Sequence, residues 1–147
     1  MLVVPSPLAA GGDFAEGLAA YDGGDYAVTL TQWQALAEAG DPVAQAALAG
    51  LYRYGQGVRQ DAAEAARWYR RAAEQGAAIA QLNLGEMYEL GLGVRRDPVR
   101  AYMWLSLAAD QGQSWARTRR ERIAESLSPA QLAAARALVR SRQADGE

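Results

Sequence analysis

AQAALAGLYRYGQGVRQDAAEAARWYRRAAEQG (residues 44–76) is followed, three residues on, by AQLNLGEMYELGLGVRRDPVRAYMWLSLAADQG (residues 80–112). A shift of 36 aligns Leu48 with Leu84, Tyr52 with Tyr88, Asp61 with Asp97, Trp68 with Trp104, and the Gly55-Gln56-Gly57 loop with Gly91-Leu92-Gly93. A fixed period of this length marks a repeat architecture, in which each unit is a supersecondary element stacked on its neighbours. Stepping back once more places Asp25 on Asp61, Ala27 on Ala63 and Gly40 on Gly76, so the period begins before the first full copy.

Each unit reads as two helices. Asp41-Pro42 supplies an N-cap with proline at the first helical position, and Val43, Ala47, Leu48, Leu51 and Tyr52 recur at three- and four-residue spacing. Glycine at 55 suits the left-handed backbone of a helix end. Asp61 caps the second helix, whose Ala65, Trp68, Tyr69, Ala72 and Ala73 form one face. The alanines let helices approach closely, and the indoles of Trp33, Trp68 and Trp104 fill the space between successive pairs. One pair cannot bury its own apolar face; stacking does it. The strict period of Tyr52 and Tyr88 marks them as inter-helix packing as well.

The spacing predicts an all-α fold, an α/α right-handed superhelix of antiparallel helix pairs with about eight helices. The pairs fall at 13–40, 41–76 and 77–112, with a C-terminal capping pair at 113–142. Ser128-Pro129 starts the last helix, and fraying is expected beyond Arg142. Residues 1–12 read as a disordered tail or a signal-peptide remnant: Leu2 to Ala10 runs from apolar to small residues, as the end of a secretory leader does, but without a basic segment before it.

Composition narrows the function. The 147 residues contain no Cys and no His, and all 15 basic residues are Arg. Disulfide frameworks, Cys or His metal sites, His-activated nucleophiles and Schiff-base lysines are thereby excluded. No metal, cofactor or catalytic residue is assigned. No apolar run approaches membrane-spanning length, so membrane insertion is not expected, and a pI near 5.2 argues against nucleic acid. The charge is polarised: residues 1–50 hold six acids and no basic residue, whereas residues 113–147 hold seven Arg against four acids. Such a chain is a monomer, or a weak homo-oligomer if acidic and basic ends stack.

The pattern A-Q-x-x-L-x-x-x-Y-x-x-G-x-G-V-x-x-D-x-x-x-A-x-x-W, closed by A-A-x-Q-G, resembles the Sel1-like repeat family, a relative of the tetratricopeptide repeat. Two full copies run from Ala44 to Gly76 and from Ala80 to Gly112, and the opening pair is closer to a plain tetratricopeptide unit. The resemblance implies a non-catalytic adaptor or scaffold for a protein or peptide partner, in bacteria often periplasmic or secreted. A compartment in the bacterial envelope is the expectation here, with the cytoplasm as the alternative. One secreted subgroup carries a cysteine pair per repeat and an enzymatic label; without cysteine, neither transfers.

Partners of tetratricopeptide-type repeats lie on a concave face built by the first helix of each pair. The resemblance places Phe14, Tyr21, Arg53, Tyr54, Asn83, Glu86, Glu89 and Leu90 there. The Asn83 amide would pair with an extended peptide backbone, or else bond within its own helix. Trp115, with no evident counterpart in the other units, is an exposed anchor or a seal on the solenoid end. Arg117, Arg120 and their neighbours Arg119 and Arg122 form a solubilising cap or meet an acidic partner. Two other functions stay open. Glu86 and Glu89 share a helix face, as paired carboxylates of a glycan or peptidoglycan hydrolase would, and end-to-end stacking would make a structural homo-oligomer.

Overall fold

A computed structural model describes residues 11–146. Eight helices and no strand occur among them: α1 (Phe14–Asp22), α2 (Tyr26–Glu38), α3 (Pro42–Tyr54), α4 (Ala62–Glu74), α5 (Ala78–Leu90), α6 (Pro98–Asp110), α7 (Ser114–Ser126) and α8 (Pro129–Asp145). They wind as an α/α solenoid in the expected right-handed sense, each helix from α1 to α6 packing on the next in chain order. The expected leader or tail at residues 1–10 lies outside the described residues. Gly12, assigned to that tail, belongs to the fold: it is buried, and a Cβ there would sit 2.7 Å from the Leu36 side chain.

Carboxylates start the helices as the spacing requires. Asp13, Asp25, Asp41, Asp61 and Asp97 each accept a backbone N–H from the first turn of the helix they precede, and Ser128 with Gln131 closes a reciprocal capping box on α8. Gly55 and Gly91 end α3 and α5 at φ of 67° and 71°. The second loop glycine has another role. A Cβ on Gly93 would fall 2.1 Å from the Ala62 carbonyl oxygen, and one on Gly57 would fall 2.4 Å from Tyr26 Cβ. Each loop is thus pressed onto the N-terminus of the second helix in the preceding pair.

A glutamine relay, buried at Gln45 and Gln81 and exposed at Gln75 and Gln111, repeats the same lock in the stack. Gln45 donates to Ala37 O at 3.1 Å and Gln81 to Ala73 O at 3.2 Å; Gln75 donates to Gln45 Oε1 and Gln111 to Gln81 Oε1, both at 2.8 Å. Buried polar groups persist in a core only when paired in this way. Around them lie Trp33, Trp68 and Trp104 with Ala65, Ala72 and Ala73 of α4 and Ala101, Ala108 and Ala109 of α6, all buried as the spacing predicts.

The C-terminal end departs from the hairpin plan. α7 and α8 do not form a fourth mutual pair; both lie chiefly against α6. α6 is apolar nearly all round, with eight buried residues, whereas α7 buries only Ala116 and Ile123 and α8 only Ala135. A helix with so little apolar surface offers no second stripe for a partner. α8 therefore covers what α7 leaves bare. It also stays helical to Asp145 rather than fraying after Arg142, tied by Gln143 donating to Asp110 Oδ2 at 2.9 Å.

Candidate functional site

The helices that open each unit, α1, α3, α5 and α7, build one side of the stack, termed the inner face. The 36-residue register carries three positions across it. Val43, Ile79 and Trp115 occupy the first turns of α3, α5 and α7 and are 59%, 51% and 62% exposed. Trp115 therefore has repeat counterparts after all, and it closes an apolar row with one side chain per unit. Tyr54 and Leu90, also exposed, form a second row at the other ends of α3 and α5.

Beside the first row an apolar hollow of about 300 Å³ opens between α3 and α5, lined by Phe14, Val43, Ala46, Tyr69, Ile79 and Asn83. Phe14 reaches it half-buried, its ring stacked on Trp33 with centroids 5.2 Å apart. Tyr69 comes from α4, and burial pushes its hydroxyl up to about 12, against the pull of the Arg53 charge. Tyr21 stands away from this hollow. It stacks on Trp33 at 5.8 Å, and its hydroxyl exchanges hydrogen bonds with the Gln56 amide. It fastens the first pair to the second loop instead of facing a partner.

The centre of the face is a closed ionic network. Arg53 donates to Asn83 Oδ1 at 2.8 Å and to Glu86 Oε1 at 3.0 Å. Arg119 reaches Glu86 at 3.3 Å and Glu89 at 3.2 Å. Burial works against the charge on Arg53, but the hydrogen bond and charge of Glu86 outweigh it and hold the guanidinium above its ordinary value. Asn83 donates its amide N–H to Ile79 O at 2.8 Å. With its oxygen taken by Arg53, Asn83 is not a free amide for a peptide backbone. The bond within its own helix prevails, and the residue braces Arg53.

Arg119 is the residue that reading the arginine cluster as an end cap misses. Its side chain is 12% exposed and faces inward, while Arg117 is exposed and Arg120 is half-buried beside Tyr102 and Asp110. The signal was available: position 119 is one period beyond Asn83, on the same inner face. Glu86 and Glu89 are each engaged by guanidinium groups. That is the setting of a structural ion pair, not the divergent pair of environments that separates a general acid from its partner. Among the described residues no group of acidic side chains has metal-binding geometry, and no helix is long and apolar enough to cross a membrane.

Stacked helix pairs that repeat at a fixed period define a helical repeat protein of the α-solenoid class. The Sel1 repeat model matches residues 42–76 and 78–113. A Sel1 repeat protein from Oxalobacter formigenes is 34% identical, over 80% of this chain and 90% of that one, with a TM-score of 0.71. The protective antigen c5321 of uropathogenic Escherichia coli strains, which displays an SLR fold, is 29% identical over 93% of this chain, with a TM-score of 0.84. This chain spans only 30% of the length of that antigen. No curated protein matches. The chain belongs to the Sel1 repeat family, whose members generally act as protein–protein interaction scaffolds.

Proposed function

We propose that this chain is a non-catalytic binding module that takes an extended segment of a partner protein along its inner face. The observation that carries the reading is the row Val43, Ile79 and Trp115, exposed at the same point of three successive units. Exposed apolar side chains scattered singly need no explanation, but a set repeated in register, two of whose members line an apolar hollow, marks a contact surface. A partner would seat an apolar side chain in the hollow by Phe14 and Ile79. It would also cover Trp115, the residue type most enriched at binding hot spots. The closed network of Arg53, Glu86, Arg119 and Glu89 supports this division of labour: its charges are already paired, so it stiffens the floor and leaves affinity to the apolar row.

The test is selection of peptides from a random display library against the folded protein. Selected peptides should carry spaced apolar residues, bind the wild type, and lose at least about tenfold in affinity for Ile79→Asp, the scale of a hot-spot loss. Equal binding to wild type and Ile79→Asp would place the site elsewhere. The envelope compartment is part of the proposal and rests on the leader-like run from Leu2 to Ala10. A reporter active only after export, fused to the C-terminus of the native gene product with its own N-terminus, should be active in its bacterial host; an inactive reporter would overturn the envelope assignment.

A further inference from the structure

The outer face, built by the second helices, carries a surface that the inner-face reading does not use. Three adjoining hollows of about 700, 450 and 200 Å³ share Arg70, Tyr88, Val94 and Arg100 in overlapping sets and join into one trough. Seven arginines line it against three carboxylates, Glu64, Glu74 and Asp97. Two of those carboxylates are already engaged. Glu64 takes Arg67 at 2.6 Å and the Trp68 indole N–H at 3.1 Å, while Asp97 caps α6 and lies 3.5 Å from Arg100. Arg70, Arg71 and Arg142 have no ion pair among the described residues.

Aromatic rings hold these cations in place. The Arg71 guanidinium lies 4.9 Å from the Trp68 ring centroid, and Arg142 lies 4.9 Å from that of Trp104. Arg70 and Arg100 flank the Tyr88 ring at 5.9 Å each, and Arg70 also donates to the Tyr88 hydroxyl. A guanidinium stacked on a ring keeps its in-plane N–H edges free for a carboxylate fork. The two indoles stand one repeat apart, yet their cations come from different places. The position equivalent to Arg71 in the next unit is Leu107, and the missing guanidinium is supplied by α8, which lies outside the repeats. The same stack at both indoles, from unrelated elements, is a second observation independent of the net charge.

We propose that this trough binds an acidic polypeptide segment, whose carboxylates meet the stacked arginines over Trp68, Tyr88 and Trp104. The charge of the whole chain favours a short acidic stretch over a long polyanion. Residues 1–50 hold six acids and no basic residue, so a phosphate chain overrunning the trough toward that end would be repelled.

The experiment is fluorescence anisotropy with a labelled glutamate-rich peptide, its glutamine counterpart, a single-stranded DNA of matched charge, and phosphatidylglycerol vesicles. The glutamate peptide should bind the wild type in a salt-dependent way and more tightly than the other three probes. The double variant Arg71→Gln/Arg142→Gln should bind it at least about tenfold more weakly, as removal of anchoring arginines does. A charge-matched control, Arg117→Gln/Arg136→Gln, alters exposed arginines away from the trough and should bind like the wild type. Circular dichroism and thermal unfolding confirm that both variants fold. Four results overturn the proposal: no binding of the glutamate peptide, equal weakening by the two double variants, tighter binding of the DNA, or tighter binding of the vesicles. The variants leave Val43, Ile79 and Trp115 untouched, so this result is independent of the inner-face test.

Discussion

The two family-matched units and the C-terminal cap use the same register in opposite ways. In α3 and α5 a first helix is gripped on both sides, by the second helices before and after it; α7 has α6 on one side and no further pair beyond it. Equivalent positions then diverge in chemistry. Asn83 in α5 becomes Arg119 in α7, and the arginine reaches back into the neighbouring unit to pair with Glu86 and Glu89. The second helix diverges too, since α8 abandons its pairing with α7 and lies on α6, bringing Arg142 to Trp104. A repeat is held by what stacks on it. The last one must find substitutes.

The largest expected effect sets an indole within the stack against one on the cap. Trp104→Ala removes a ring that is 4% exposed and should cost about 3–5 kcal/mol. Trp115→Ala, at 62% exposure, should change stability by no more than about 0.5 kcal/mol. Urea denaturation of both variants measures the difference, and similar losses would mean that the cap is part of the core. The loop glycines sharpen the same contrast. Gly93→Ala meets both a φ of 66° and the Ala62 backbone and should cost about 3 kcal/mol, from left-handed strain plus overpacking. Gly112, at φ 93° with nothing within 4 Å, should lose only about 1–2 kcal/mol, from strain alone.

Alkaline unfolding probes the hollow. The Tyr69 hydroxyl titrates at about 12 in the fold against 10.0 free, so the unfolded chain releases its proton first. The stability this provides is intact below pH 10 and declines between pH 10 and 12, by about 2 kcal/mol. Tyr69→Phe should flatten most of that decline. Tyr52, raised mainly by burial and then by Glu64, leaves a residual slope. An unchanged profile in Tyr69→Phe would remove burial of this hydroxyl as its cause. The smallest effect concerns the bridge from cap to repeat. Arg119→Met leaves half-buried Glu89 without its cation and Glu86 with Arg53 alone, and should cost about 1–2 kcal/mol, measurable by thermal unfolding, whereas Arg117→Met should be neutral within about 0.5 kcal/mol.

Much of the inner face was legible in the residue order. Arg53, Glu86 and Glu89 meet in one network and Tyr54 and Leu90 are exposed one period apart, because helical periodicity fixes which side of a helix a position occupies. What a side chain does on that side was less legible. Asn83 is consumed by Arg53 and Ile79, and Tyr21 by Trp33 and Gln56, since residues about 30 apart compete for the same hydrogen bonds. Arg119 and Trp115 could have been placed by carrying the 36-residue register into α7, where the absence of the glycine loop hides it.

By itself the amino-acid order determined the helices, their caps, the loop glycines, the stacking period and the buried indoles. These follow from local backbone preference and from apolar spacing, which need no distant partner to be read. The split of α7 and α8 over α6, the ionic floor of the inner face and the arginine-lined outer trough were decided only in three dimensions. They depend on which elements happen to meet once the stack ends, and a guanidinium or an amide takes whichever partner that meeting brings within reach.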